Sequence, residues 1–288
     1  MRGKGSRAGE GNSKDVGKEK GYLKAQRFIL GALLLFVLAG CATTGPGGKK
    51  SLILISTADE VEIGRQMAQE VESKEDVLDD AMVQSFVSRV GKKVAQVSDR
   101  KNLAWHFKVI RNKEVNAFAL PGGYVYVYTG LLKGMDSEAE LAGALGHEIG
   151  HVVARHSVKK LQTMYGLDIL LQIAGVGQMS KAAQVAIQMG SVLVLQGYSR
   201  ADEFEADYDG TFYEYKAGYN PTGMKNLLTT LKSLETREPG ALEKLLATHP
   251  PTSDRVAQVD SAIAKLPANA RRLPMGQESF QPIRNRLP

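Results

Sequence analysis

Apolar positions recur along this chain at two periods, and the switch between them outlines the elements. From Ser56 onward a helical pattern opens, with Val61, Ile63, Met67 and Val71 apolar. Val77, Met82, Phe86, Val90 and Val94 mark a second helix from about Asp76 to Val97. The period then drops to two. Trp105 to Arg111 (WHFKVIR) alternates as a strand does, with His106 read as a structural strand residue. Asn116 to Leu132 holds two extended runs around Pro121-Gly122-Gly123, the composition of a tight turn. Tyr124, Tyr126 and Tyr128 alternate with Val125 and Val127, so one face of that hairpin is aromatic.

The helical period returns at Leu141, Leu145, Ile149 and Val152, with Ser137 and Glu140 placed as a capping box at the start. Two apolar stretches follow between Leu167 and Leu195. Glutamines and a lysine interrupt them, so neither makes a membrane span; they read as buried helices, with a hydrophobic flap over the cleft or a membrane-facing surface as the alternative. Another helix begins near Ser199, a further one runs from Pro221 to Glu235, and Ser253 or Asp254 caps a last one. Residues 267–288, rich in Pro and Arg, read as a loose tail. The pattern predicts a mainly α fold with a small antiparallel β-sheet.

The chemistry lies in the helix that carries His147-Glu148-Ile149-Gly150-His151. Residues four apart on a helix share a face, so His147 and His151 present two imidazoles one turn apart, a spacing suited to zinc. Glu148 sits beside such a metal as the base that takes a proton from water. Gly150 costs about 1 kcal/mol in a helix relative to Ala, which makes sense as room for a closely packed neighbour. Downstream, SRADEFEAD offers four acids as a third ligand: Asp202, Glu203, Glu205 and Asp207. Glu203 and Asp207 share a face, and Glu205 points elsewhere. Glu203 is therefore read as the third ligand, with Asp207 accepting the free N–H of a ligating histidine. The segment Asn116, Ala117, Phe118 and Ala119 has two readings. It is a hairpin strand packed on core helices, or an edge strand lining the cleft to which an extended peptide adds.

Charge and cysteine narrow the class. The first forty residues hold eight Lys/Arg against three acids, so five of the six net positive charges sit there. The body is nearly neutral, and nucleic-acid binding has no electrostatic support. Cys41 is the chain's one cysteine, which excludes a disulfide framework and a cysteine metal cluster. It follows an apolar run of signal-peptide length, Phe28 to Gly40, and Leu38-Ala39-Gly40-Cys41 resembles the bacterial lipobox. The resemblance implies cleavage before Cys41 and lipid attachment there; the other reading is an uncleaved membrane anchor with an incidental cysteine, and both put the body outside the cytoplasm. Ala42 in place of Asp resembles the pattern of outer-membrane retention, facing the periplasm.

Taken in order, NAFALPGG, LAGALGHEIGHVVARHS, SRADEFEAD and THPPTSDR resemble the zinc metallopeptidase family that includes HtpX, the CAAX prenyl proteases, BepA and LoiP. The lipobox makes the LoiP-type lipoprotein branch the nearest resemblance, and no tetratricopeptide tail of the BepA kind follows. The resemblance implies a gluzincin-type domain, one Zn2+ per chain on His147, His151 and Glu203, and Glu148 as base. It also implies supporting or regulatory places around the ligands for Asp207, His249, Arg200 and Arg255, with His249 matching a histidine that approaches the zinc and blocks or tunes it. The organisation expected is a signal peptide at 1–40, a lipidated tether at 41–54, a peptidase domain at 55–266 and the tail at 267–288. The function expected is a membrane-anchored endopeptidase acting on unfolded or misassembled envelope proteins in quality control. The alternative is a chaperone-like envelope assembly lipoprotein with a latent or self-inhibited zinc site.

Overall fold

The computed structural model describes residues 41–42, 51–53, 55–163, 197–237, 239–249 and 253–288. The chain divides into two units, Met1–Ala42 and Thr43–Pro288. Of the first unit, only Cys41–Ala42 is described, as extended backbone. The apolar run Phe28–Gly40 lies outside the described residues, and so do the two apolar stretches expected between Leu167 and Leu195. Among the described residues, no helix is long and apolar enough to cross a membrane.

The second unit opens with helix α1, Thr57–Lys74, capped by the Ser56 side chain accepting from the Asp59 N–H. Helix α2 spans Ala81–Ala95 and turns Val83, Val87, Val90 and Val94 into the core. The helix expected from Asp76 thus starts later. Asp80 caps it by accepting from the N–H groups of Met82 and Val83. The residues before it find partners on a strand instead: Leu78 N–H donates to Val109 O at 2.9 Å, and Arg111 N–H to Asp76 O at 2.7 Å.

Three strands follow: β1 His106–Ile110, β2 Ala117–Leu120 and β3 Tyr124–Tyr128. Between β2 and β3 lies the expected turn, in which Gly122 and Gly123 take φ of 78° and 97°, open to glycine without strain. The sheet order is β1-β3-β2, with β2 antiparallel and β1 parallel to β3. The sheet is therefore mixed rather than antiparallel. The reason is the connection at 111–116, which passes over the end of β3. Asn112 is pinned there by its N–H to Thr129 Oγ1, and its carbonyl accepts from Thr129 Oγ1 and the Gly130 N–H.

The sheet separates two apolar layers. Val109, Ala117, Ala119, Val125 and Val127 join the core shared with α2 and the metal-motif helix. Phe118, Leu120, Tyr126 and Tyr128 pack with Ile63 and Met67 of α1, and the Tyr126 hydroxyl donates to Glu72 at 2.9 Å. The aromatic face of the hairpin is thus core. Short helix α3, Thr129–Lys133, leads into α4, Glu138–Val153. After the gap come α5 Arg200–Lys216, α6 Thr222–Arg237, α7 Glu243–Thr248, α8 Ser253–Ala264 and α9 Gln277–Arg284.

Residues 267–288 are not the loose tail expected. Phe280, Ile283 and Leu287 form a buried stripe at helical spacing, which the Pro and Arg content obscures. The Gly276 and Met275 carbonyls accept from the N–H groups of Glu138 and Ala139, tying this segment to the first turn of α4.

Candidate metal centre

Helix α4 starts as its sequence implies, with Ser137 Oγ accepting from the Glu140 N–H at 3.2 Å. The reciprocal bond is displaced by one residue: Glu140 Oε2 accepts from the N–H of Asp136 rather than that of Ser137. A complete capping box occurs instead at the start of α5, between Ser199 and Asp202. The two helices cross with their backbones in contact. A Cβ on Gly146 would lie 2.9 Å from Gly210 O, one on Gly150 2.9 Å from Ala206 O, and one on Gly210 2.7 Å from His147 N. Gly150 therefore admits the close neighbour expected of it, Gly146 and Gly210 do likewise, and the crossing brings Glu203 and Asp207 to the two histidines.

There the donor atoms converge. His147 Nε2 and His151 Nε2 are 3.0 Å apart, and His151 Nε2 is 3.3 Å from Glu203 Oε1. His249 Nδ1 lies 3.3 Å from His147 Nε2 and 3.0 Å from Glu203 Oε1. Ligands about 2.0–2.1 Å from a tetrahedral zinc stand about 3.3 Å from one another, so these separations are edges of such a tetrahedron. All four groups are buried and form one metal-competent cluster. The donor set, two or three imidazoles with one carboxylate, suits zinc.

The surroundings hold the donors in the right form. Asp207 Oδ1 lies 2.8 Å from His147 Nδ1, which leaves Nε2 facing the other donor atoms. Arg255, from α8, places Nη1 2.8 Å from Glu203 Oε2 and clasps Asp207 through Nε and Nη2. Burial pushes both carboxyl groups up, but for Glu203 the charges of His249 and Arg255 outweigh it and hold the pKa well below the usual range. Arg255 and then His147 likewise outweigh burial at Asp207 and lower its pKa. Burial holds His151 well below the ordinary histidine value, despite Glu203, which keeps it neutral. His249 goes the other way: burial lowers it, but Glu203 and Glu148 outweigh burial and raise it.

Glu148 stands beside this cluster. Its Oε1 is 3.6 Å from His249 Nε2, and its buried Oε2 has no hydrogen-bond partner. A buried orphan acceptor is costly and uncommon in a native interior. An apolar recess lined by Ala117, Leu131, Ala144, Met224, Leu227 and Leu245 adjoins His147, Glu148 and His249. Among the described residues, β2 pairs only with β3, which leaves its other edge unpaired on the side of α4.

The structure brings His147, Glu148, His151, Glu203, Asp207, His249 and Arg255 together. It does not bring Arg200, which is exposed and 3.6 Å from Asp254. Two residues of the neighbourhood escape sequence reasoning. Tyr198 stacks on His151 with ring centroids 3.9 Å apart, and His156 faces it edge to edge. His156 sits five residues after His151, a spacing that carries no helical signal.

A helix with two histidines flanking a glutamate, met by a carboxylate from a second helix, defines a zinc metallopeptidase centre on a mostly helical scaffold. Residues 81–263 match peptidase family M48, and the chain belongs to that family of zinc metalloproteases. It is 34% identical over 178 residues to mitochondrial metalloendopeptidase OMA1 of Schizosaccharomyces pombe, covering 61% of this chain and 51% of the relative. It is 30% identical over 220 residues to metalloprotease YcaL of Escherichia coli, covering 73% and 82%. It is 24% identical over 212 residues to the beta-barrel assembly-enhancing protease of the same organism, covering 70% and 43%. The chain thus spans about half the length of the S. pombe relative and 36% of the OMA1 protein of Arabidopsis thaliana.

Proposed function

We propose that this chain is a zinc endopeptidase of the cell envelope, anchored through Cys41 and closed at rest by His249. The observation that carries the reading is the packing of His147, His151 and Glu203 donor atoms at tetrahedral spacing beside the orphan Oε2 of Glu148. Zinc held by these three residues supplies Lewis acidity for water and for the peptide carbonyl. The chain's own groups do the rest. Glu148 accepts the water proton at Oε2 and returns it to the leaving amine. Asp207 fixes the Nδ1 proton of His147, and Arg255 keeps Glu203 and Asp207 charged. The substrate strand adds along Asn116 to Ala119, with an adjacent side chain in the apolar recess.

The substrates in this reading are unfolded or misassembled envelope proteins. The lipobox-like Leu38-Ala39-Gly40-Cys41 and the name of the bacterial relative that enhances beta-barrel assembly support it. The outer membrane, facing the periplasm, is the place expected. The test measures zinc content and casein cleavage for wild type and Glu148→Gln in parallel. One zinc per chain in both, with cleavage in wild type alone, is the expected result; equal cleavage sinks the role of Glu148.

The position of His249 favours a second reading. Its Nδ1 occupies the fourth corner that a hydrolytic water needs. A chaperone-like assembly lipoprotein with a latent zinc site would keep that corner filled. It would bind zinc and unfolded protein without cleaving, even as His249→Ala.

A further inference from the structure

The second nitrogen of His151 has its own partner. Nδ1 of His151 lies 2.8 Å from Nδ1 of His156, and both rings are buried. The other nitrogen of His156, Nε2, faces Asp202 Oδ1 at 3.3 Å and Glu205 Oε2 at 3.5 Å. His156, Asp202 and Glu205 are also spaced as a possible metal group of their own. Proton accounting decides between a second metal and a hydrogen-bond relay. A neutral imidazole carries one N–H. If Nε2 of His151 gives its lone pair to zinc, the proton of His151 is on Nδ1 and is donated to His156 Nδ1. His156 then carries its proton on Nε2, aimed at two carboxylates. A metal on that nitrogen would have to displace this proton.

We propose that His156 is a positioning residue of the metal centre, fixing the tautomer and ring orientation of His151, with Glu205 and Asp202 holding its outward N–H. The proposal deepens the zinc reading above and rests on His151 being a ligand. The backbone is built for it. On a continuous helix a residue five places on points about 140° away. Helix α4 instead ends at Val153, Arg155 takes φ of 55°, and residues 156–163 begin a new helix. That left-handed residue, uncommon without glycine, swings His156 back to His151. It is held in place by Glu60, whose Oε2 is 2.8 Å from Arg155 Nε, and by donation from Arg155 Nη2 to Ile55 O. Tyr198 covers the face of the His151 ring while its hydroxyl meets Ser157 Oγ at 2.9 Å. His151 is thus fixed by edge and by face, as His147 is by Asp207.

The test measures zinc affinity of the purified full chain by competition with a chelator, and visible absorption of the cobalt-substituted form. His156→Phe removes the acceptor and keeps the bulk. It is expected to weaken zinc binding about 10–100-fold and to shift the cobalt bands. His156→Gln, which can accept from His151 and donate onward, is expected to recover most of the affinity. Zinc binding by His156→Phe at wild-type strength overturns the proposal. So does a wild type that binds two zinc ions and loses one on His156→Gln. Should the Phe variant fail to fold, nitrogen-15 spectra of the zinc-loaded wild type decide. His151 protonated on Nδ1 and His156 on Nε2 alone is the expected pattern, and a proton on His156 Nδ1 overturns it. Failure of the underlying zinc reading looks different: wild type holds no zinc, or His151→Ala keeps it.

Discussion

Arg255 grips Asp207 through two parallel contacts, Nε to Oδ2 at 2.7 Å and Nη2 to Oδ1 at 2.8 Å. The same guanidinium reaches Glu203 with its third nitrogen, so one cation serves two buried carboxylates. Removing one partner of a buried pair leaves uncompensated charge and costs about 3–5 kcal/mol. Arg255→Leu is therefore expected to lower the stability of the metal-free chain by that amount in urea unfolding. Arg255→Lys keeps the charge but not the fork, and should fall between the two. Equal stabilities for all three would show that the site does not depend on this cation.

In the proposed reading His249 closes the site rather than builds it. Three protein ligands suffice for a catalytic zinc, and His249 Nδ1, 3.3 Å from His147 Nε2 and 3.0 Å from Glu203 Oε1, is near enough to take the remaining corner. His249→Ala is expected to keep its zinc and to cleave casein faster. If the open form is a tenth of the resting population, the gain is on the order of tenfold. Loss of zinc together with loss of cleavage would make His249 a required ligand instead.

Gly210→Ala tests the helix crossing. Alanine favours a helix by about 1 kcal/mol over glycine. Here its Cβ would lie 2.7 Å from His147 N and 2.8 Å from Gly146 C, backbone atoms that cannot turn aside. Overpacking costs about 1–3 kcal/mol, so the clash is expected to win. Because the atom displaced belongs to His147 itself, zinc affinity should fall along with thermal stability. A variant that gains stability and binds zinc as wild type does would mean that the crossing is looser than these contacts.

The parts of this molecule legible in its sequence are those made by local periodicity. His147 and His151 share a face because helices repeat every 3.6 residues, and Glu203 and Asp207 pair for the same reason. The Pro121-Gly122-Gly123 turn announces itself because its conformation demands glycine. What stayed hidden depends on distant partners or on a break in periodicity. Val77 precedes the apolar series of Met82, Phe86, Val90 and Val94 and so reads as its first member, yet Val109 and Ile110, far along the chain, draw Asp76 to Asp80 to the sheet edge. The parallel pairing of β1 follows from a loop anchored by Thr129, which no pattern of alternation encodes. His156 reaches His151 only because Arg155 is left-handed, and a charged residue gives no sign of that. Arg200 and Arg255 occupy comparable motifs, but only Arg255 faces inward, because α8 turns it beneath α5.

Glu214 gives a pH prediction away from the metal. It is fully buried in α5 and accepts from the Met224 N–H at 3.3 Å. Burial pushes its carboxyl well above the usual value, against the opposing Met224 hydrogen bond. A raised acid reverses the sign familiar from salt-bridged carboxylates. The folded chain keeps a proton that the unfolded chain releases above about pH 4.5, so stability is present below that pH and lost as pH rises. The loss is about 1.4 kcal/mol per pH unit until the folded carboxyl itself ionises. Glu214→Gln is neutral throughout and nearly the same shape. In urea unfolding, variant and wild type should agree near pH 4 and diverge in favour of the variant towards neutrality. Parallel curves across this range would mean that Glu214 is ionised in the fold, and that its burial is compensated by something other than a proton.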